Sequence, residues 1–279
     1  MQVIVQPEDG LLPILKAIKR ARKSIDVVIF RFDLSDIEDA LAAAVERGVA
    51  VRALIAHTNR GGEKKLRKLE DRLLKTGATL SRTADDKVRY HGKVVVIDGK
   101  KAFVLGFNFT ALDVKRSRSL GLVTANPKIV SALTKVIEAD HNRVPPIITS
   151  TRLVVSPEDA REKLASFIRG ARRELLIYDA QLTDDRMIAL LMQRVAAGVK
   201  IKILGGLERK WKDTGFKVKS LRGLRLHVRG IVRDRKAAFI GSQSLRKVEL
   251  DSRREVGLIT KDRRAVAQIT KVFERDWKA

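Results

Sequence analysis

A chain of 279 residues is long enough to bury one large core or two medium ones. Its 44% hydrophobic content is ordinary for a globular protein. No run of eighteen apolar residues marks a transmembrane helix, and the absence of cysteine excludes disulfides and thiolate metal sites. The 58 Lys and Arg against 33 Asp and Glu leave a net charge of +25. Such an excess creates a positive field that draws polyanions and speeds their association. Ion-pair networks selected for thermal stability also use many charges, but they ask for balanced signs. The imbalance points to an anionic partner, nucleic acid first and an acidic membrane surface second. The opening "MQVIVQPEDG" has neither a basic n-region nor a long apolar stretch, so a cytoplasmic location without membrane insertion is expected.

In chain order, Leu11, Leu12, Leu15 and Ile18 recur at helical spacing, and "SIDVVIFRF" has the β-branched character of a strand. Ile37, Leu41, Ala44 and Val45 form the face of a second helix, which Gly48 ends as a C-cap before the strand "VAVRALI". The basic segment 57–90 follows. It predicts a helix flanked by loops, with "RGG" at 60–62 as a turn. Next comes "YHGKVVVIDGKKAFVLGFNFT" over residues 90–110, whose two apolar runs read as strands joined at Asp98–Gly99 by a hairpin turn. At "RVPPIITST" (143–151), Pro145 and Pro146 interrupt helix and sheet, which predicts two units, 1–146 and 147–279.

The second unit repeats the first. At an offset of 150, "VIVQPEDG" (3–10) meets "LVVSPEDA" (153–160), and "AIKRARKSIDVVIF" (17–30) meets "FIRGARRELLIYDA" (167–180). Likewise "ALAAAVERGVAVRALI" (40–55) falls on "LLMQRVAAGVKIKILG" (190–205). Strands alternating with helices predict two similar α/β halves, each with a largely parallel mixed sheet flanked by helices. Later in the chain the offset drops to 136, where "LHVRGIVRDRKAAFIGSQSLR" (226–246) copies the histidine segment. The first half therefore carries extra residues before its histidine. The shorter basic equivalent, "GLERKWKDTGFKVKSLRG" (206–223), contains Trp211, a candidate for stacking on a base.

Alternation along a strand puts His91 and Lys93 on one face, and Gly106 frees the backbone so that Asn108 can present its amide. A nucleophile or general acid, a cation and a neutral donor together suit a tetrahedral phosphate, whose oxygens need positive charge and hydrogen bonds as the transition state forms. A lone histidine on a strand is usually structural, whereas two copies within a duplicated chain argue for a site. Of the remaining candidates, His57 and His141 have no ligand-like spacing, Asp113, Asp179 and Asp251 read as caps and turns, and no P-loop is present. No metal site and no cofactor are expected.

These residues resemble the phospholipase D superfamily, whose motif is H-x-K-x4-D-x6-G-[SG]-x-N, one copy per half. The first copy is His91, Lys93, Asp98, Leu105, Gly106 and Asn108, departing only at Leu105. The second is His227, Arg229, Asp234, Gly241, Ser242 and Ser244, departing at Arg229 and Ser244. The resemblance implies a single-chain pseudo-dimer with one site between the halves, complete in a monomer. It implies a metal-independent two-step reaction through a phosphohistidine, with the motif aspartates structural. It further implies an acidic or amide residue downstream of each motif that orients the histidine of the opposite half. Here Glu255 fills that place for His91, whereas the matching position is Ser119. That asymmetry makes His91 the expected nucleophile and His227 the general acid.

A phosphodiesterase of nuclease type, acting on DNA or RNA, is the expectation. Lys115, Arg116, Arg118, Arg246, Lys247, Arg253 and Arg254 are expected to hold flanking phosphates. Two rivals are a nucleic-acid-binding protein that has lost catalysis and a phospholipid hydrolase or transphosphatidylase. Both motif departures fall in one half while both histidines survive, a pattern that fits an asymmetric enzyme better than random decay.

Overall fold

The computed structural model describes residues 1–29, 31–57, 63–83, 89–211 and 214–279. The first half runs β1 (Gln2–Gln6), α1 (Leu12–Arg20), β2 (Ser24–Ile29), α2 (Ser35–Glu46), β3 (Ala50–Ile55), α3 (Glu63–Lys75), β4 (Thr79–Arg82), β5 (Val94–Ile97), β6 (Lys101–Leu105), α4 (Ala111–Lys115), β7 (Ser117–Thr124) and α5 (Pro127–His141). The second half runs β8 (Leu153–Ser156), α6 (Ala160–Arg169), β9 (Glu174–Leu182), α7 (Asp185–Ala196) and β10 (Lys200–Leu207). After a 3-10 turn at Arg209–Trp211 it continues with β11 (Lys217–Lys219), β12 (Arg225–Leu226), β13 (Arg229–Arg233), β14 (Ala237–Gly241), α8 (Lys247–Asp251), β15 (Glu255–Thr260) and α9 (Arg263–Lys278). The "RGG" turn expected at 60–62 lies outside the described residues, as do residues 84–88 of the basic segment.

The two sheets have the same topology. The first is ordered β1-β7-β6-β5-β2-β3-β4 and the second β8-β15-β14-β13-β9-β10-β11, with β12 added beside β7. Strand direction departs from the sequence expectation. The pairings β2–β3 and β3–β4 are parallel, but β2–β5, β5–β6, β6–β7 and β1–β7 are antiparallel. The cause is local: the Asp98–Gly99 turn, with φ of 54° and 60°, folds β5 and β6 into a hairpin, which must be antiparallel.

Both sheets are buried on both faces, which is why their strands read as continuous apolar runs. Val94 and Val96 face one core, while Val95 and Ile97 face another. The first of these cores is shared. Val104, Leu122, Leu133 and Val136 pack with Leu176, Ile240, Leu258, Ile269 and Phe273, so both sheets and helices α5 and α9 close on a single apolar interior. The outer faces are covered separately, by α1, α2 and α3 in the first half and by α6 and α7 in the second.

The duplication extends to caps and turns. Helix α2 ends with Gly48 at φ 79°, its N–H on the Val45 carbonyl (2.8 Å) and that of Val49 on Ala44 (3.0 Å). Helix α7 ends in the same way at Gly198, φ 85°. The motif aspartates tie the turn before the central strand. Asp98 accepts from the backbone N–H groups of Arg22, Lys23 and Ser24, and Asp234 from those of Arg172, Arg173 and Glu174. Desolvation opposes ionisation of Asp234, but these N–H groups outweigh it and hold its pKa below the ordinary 3.8. A depressed carboxylate stabilises the fold above the ordinary value and loses that contribution as the pH falls through the folded one. Asp234→Ala is therefore expected to cost roughly 1–3 kcal/mol at pH 7. The gap from the parent should narrow as the pH falls below 3.8 and on through the folded value, which a series of urea titrations from pH 7 downward would read.

Candidate active site

The first histidine does not lie on a strand, as alternation had implied. His91, Gly92 and Lys93 form an extended segment ahead of β5. It is held from the other half, because the N–H groups of His91 and Gly92 donate to the Arg254 carbonyl at 2.8 and 3.2 Å. The arrangement repeats at His227, where the N–H groups of His227 and Val228 donate to the Arg118 carbonyl at 3.1 and 2.9 Å. Each histidine is thus fixed by the strand end that carries the opposite half's downstream residue.

Glu255, fully buried at the start of β15, places its carboxylate 2.9 and 3.1 Å from His91 Nδ1. Burial, then the Lys93 ammonium and the Arg229 guanidinium, hold His91 well below the ordinary histidine value. Its ring is therefore neutral at pH 7. With Nδ1–H donated to Glu255, the lone pair sits on Nε2. Burial, followed by Arg229, Lys93 and Arg225, likewise depresses His227, and His91 adds to the effect. These mutual influences put both imidazoles and both cations in one site.

The second half keeps this design with different residues. Lys93 Nζ donates to the His91 carbonyl at 2.5 Å, and Arg229 Nη1 donates to the His227 carbonyl at 2.6 Å, so arginine takes the lysine's place against its histidine. The longer guanidinium is matched by a smaller neighbour. Ser244 stands where the first half has Asn108, and Arg229 Nε donates to its Oγ at 3.3 Å. Asp179 sits alongside, 2% exposed, with Oδ2 accepting from the Leu245 N–H at 2.7 Å. Burial raises the Asp179 pKa, while the Leu245 N–H and Arg229 oppose the rise. The departures at Arg229 and Ser244 thus form a coherent substitution, with Asp179 supplying countercharge where the first half has Ile29.

Asp113 was expected to be a cap or turn residue, yet it belongs to the site. Its Oδ2 accepts from Asn108 N at 2.9 Å and Asn108 Nδ2 at 2.7 Å, which orients that amide. The same oxygen lies 3.6 Å from His227 Nδ1, beside Ser119 Oγ at 3.3 Å, and Oδ1 pairs with Arg225 at 2.8 Å. Arg225 and Asp113 were thus missed by motif reading. The offset of 136 could have found Asp113, because it maps onto Glu249, which accepts from the Ser244 N–H at 2.8 Å.

The expected phosphate contacts divide. Lys115, Arg116 and Lys247 are exposed on the short helices α4 and α8 or just after them, and these helices follow directly on Asn108 and Ser244. Arg246 and Arg253 are half-buried and paired with Glu249, at 3.6 and 3.2 Å. Arg118 and Arg254 are not available to a substrate: they are 3% and 6% exposed, and their guanidinium groups are committed to internal carboxylates. Their place between charged residues in sequence resembled a basic patch, but the side chains turn inward, Arg118 from β7 and Arg254 from the bridge to Tyr90 just before β15. Trp211, half-buried, packs against the outer core of the second half with Lys210 Nζ 5.3 Å above its ring.

This fold and site define a protein in which two similar α/β halves, in one chain, bring together two histidines and their cations. A family model described as "Cardiolipin synthase, PLD-like domain" matches residues 14–141 and 164–277, one match in each half. The chain belongs to the phospholipase D superfamily. No curated protein matches the sequence. Among solved structures, polyphosphate kinase from Porphyromonas gingivalis superposes with a TM-score of 0.80 at 20% identity, over 98% of this chain and 49% of that one. This chain thus spans about half the length of that kinase. Phosphatidylserine synthase from Haemophilus influenzae Rd KW20 superposes with a TM-score of 0.74 at 11% identity, over 97% of this chain and 84% of that one. The phospholipase D family member Nuc from Salmonella typhimurium is 26% identical over 53% of this chain and 97% of its own, with a TM-score of 0.46. Among the described residues, no helix is long and apolar enough to cross a membrane and no cluster of ligand side chains would hold a metal ion.

Proposed function

We propose that the protein is a metal-independent phosphodiesterase that cleaves nucleic acid through a phosphohistidine. The observation that carries this reading is the contact across the halves between Glu255 and His91 Nδ1, which readies Nε2 of a neutral imidazole for attack. Nε2 attacks phosphorus, and the bond to the leaving oxygen breaks as His227 gives that oxygen a proton. Burial, then Arg229 and Lys93, hold His227 neutral in the empty site, and it takes up its proton as an anionic phosphodiester enters and supplies the countercharge. Glu255 stabilises the cationic phosphoimidazole. Neutral His227 then takes a proton from water, the hydroxide attacks phosphorus and the P–N bond breaks. This releases a phosphomonoester and restores both rings. Lys93, Asn108, Arg229 and Ser244 line the non-bridging oxygens and counter their growing charge.

The net charge of +25, with Lys115, Arg116 and Lys247 exposed beside the site, supports a polyanionic strand as substrate. Such contacts hold phosphates without reading bases. The test is cleavage of labelled single- and double-stranded DNA and RNA in EDTA. Metal-independent cleavage is expected; tight binding without cleavage would instead identify a binding protein, and turnover of phospholipid vesicles alone a lipid enzyme. With about four phosphates contacted, affinity should fall about 100-fold as salt rises between about 50 and 200 mM. Binding that stays level over that range, measured by fluorescence anisotropy, would remove the case for a nucleic-acid strand.

A further inference from the structure

The two arginines withdrawn from the phosphate-binding set have another place in the molecule. Arg118 is held from its own half by the Gln6 carbonyl at 2.5 Å and Glu8 at 2.7 Å. From the opposite half it receives Asp276 of α9, at 2.7 Å from Nε and 3.1 Å from Nη2. Arg254 repeats this: the Ser156 carbonyl lies at 2.8 Å and Glu158 pairs with it from its own half, while Asp140 of α5 lies 3.1 Å away from the opposite half. The duplicated "PED" turns explain why. Asp9 and Asp159 close the turns onto the backbone N–H groups of Val5 and Val155 at 2.7 and 2.9 Å, which leaves Glu8 and Glu158 to meet an arginine.

Each arginine thus locks one turn of its own half to one long helix of the other. Its carbonyl accepts the N–H of the opposite half's histidine, and the next residue along, Ser119 or Glu255, meets that histidine's Nδ1. A histidine's backbone and ring are therefore both placed by one short segment, and that segment is anchored by one buried guanidinium. Burying an ion cluster of this kind is a poor route to stability, because desolvation offsets most of the attraction. It does fix a unique geometry, with a planar fork that a lysine cannot reproduce.

We propose that Arg118 and Arg254 are positioning residues, each setting the catalytic histidine of the opposite half: Arg118 sets His227, and Arg254 sets His91. The division of chemical labour rests on the reading of function above; the division of placement does not. The chain has four histidines, so their ring signals can be resolved by ¹⁵N NMR and assigned with single His→Gln variants. Arg254→Lys is expected to shift the ring nitrogens of His91 and leave those of His227 in place, and Arg118→Lys to do the reverse. Asp140→Asn and Asp276→Asn, milder changes at the same anchors, should follow Arg254→Lys and Arg118→Lys respectively.

Kinetics then separates the steps. On a nucleic-acid phosphodiester both lysine variants are expected to lose about 100-fold, the scale of a misplacement near 1 Å. On a bis(4-nitrophenyl) phosphate substrate, whose leaving group departs without a proton, Arg118→Lys should release its first equivalent of 4-nitrophenol nearly as fast as the parent and then turn over slowly, whereas in Arg254→Lys the first equivalent itself should be slow. Folded variants that move both histidines alike, or neither, overturn the proposal. Absence of cleavage by the parent protein would overturn the functional reading alone, because the NMR assignment still decides the placement.

Discussion

Replacing His91 by alanine is expected to lower phosphodiester cleavage by roughly 10⁴–10⁶-fold and to abolish any covalent intermediate. The size follows from losing the nucleophile itself, the imidazole whose Nδ1 lies 2.9 Å from the buried Glu255 carboxylate. His227→Ala should behave differently. A leaving group that departs unprotonated still allows attack by His91, but no base remains to activate water, so the phosphoprotein should accumulate. Single-turnover reactions with substrate labelled on phosphorus, followed by denaturing electrophoresis, would show an acid-labile, base-stable label in His227→Ala and none in His91→Ala. Label retained on His91→Ala would refute the assignment of the nucleophile.

Glu255→Gln carries the second large effect, a loss of roughly 10²–10⁴-fold in kcat, because the amide can present its NH₂ to Nδ1 and support the wrong tautomer. It should also change the pH profile. Burial raises the Glu255 pKa to about 6 against the pull of Lys93, and burial lowers the Lys93 pKa to about 7 against the pull of Glu255. The carboxylate is ionised above its pKa and the ammonium is protonated below its own. In the parent protein, kcat/KM should therefore rise through pH 6 and decline above pH 7, a bell that reports the free enzyme. Without the carboxylate the acid limb disappears. Lys93 also loses its supporting anion, so the alkaline limb should move to lower pH. An unchanged bell for Glu255→Gln would show that other groups control the profile.

Much of this site could be read from the sequence because it was written twice. The repeat placed His91 against His227, Asp98 against Asp234 and Gly48 against Gly198, and in each case the structure gives the two members the same local geometry. A periodic pattern is legible when its cause is local, such as a helix stripe, a positive φ after a helix or a turn closed by a nearby carboxylate. The strand direction was less legible. Alternation of strands and helices described β2, β3 and β4, but the hairpin of β5 and β6 turned the rest of each sheet antiparallel.

The failures share a physical origin. Arg118 and Arg254 lie among exposed basic residues in sequence, and a charge there is ordinarily a solvated one. Only the opposite half supplies Asp276 and Asp140, more than a hundred residues away, which make it possible to bury them. Asp113 has the spacing of a helix cap, and its approach to His227 Nδ1 exists only once β12 has paired beside β7. Asp179 and Ser244 likewise acquire their meaning from Arg229.

By itself the sequence determined the two-fold repeat, the motif residues, the strongly cationic surface and the residue at Glu255 that breaks the symmetry. Those features rest on side-chain identity and on short-range spacing, which the chain carries openly. The tertiary structure decided which cations face solvent and which are locked inside, that Asp113 and Asp179 belong with the histidines, and that each histidine is placed by the other half. Those outcomes depend on closing two sheets over a shared core. Desolvation then makes every buried charge find a partner, and the partner is set by the packing of the halves and not by distance along the chain.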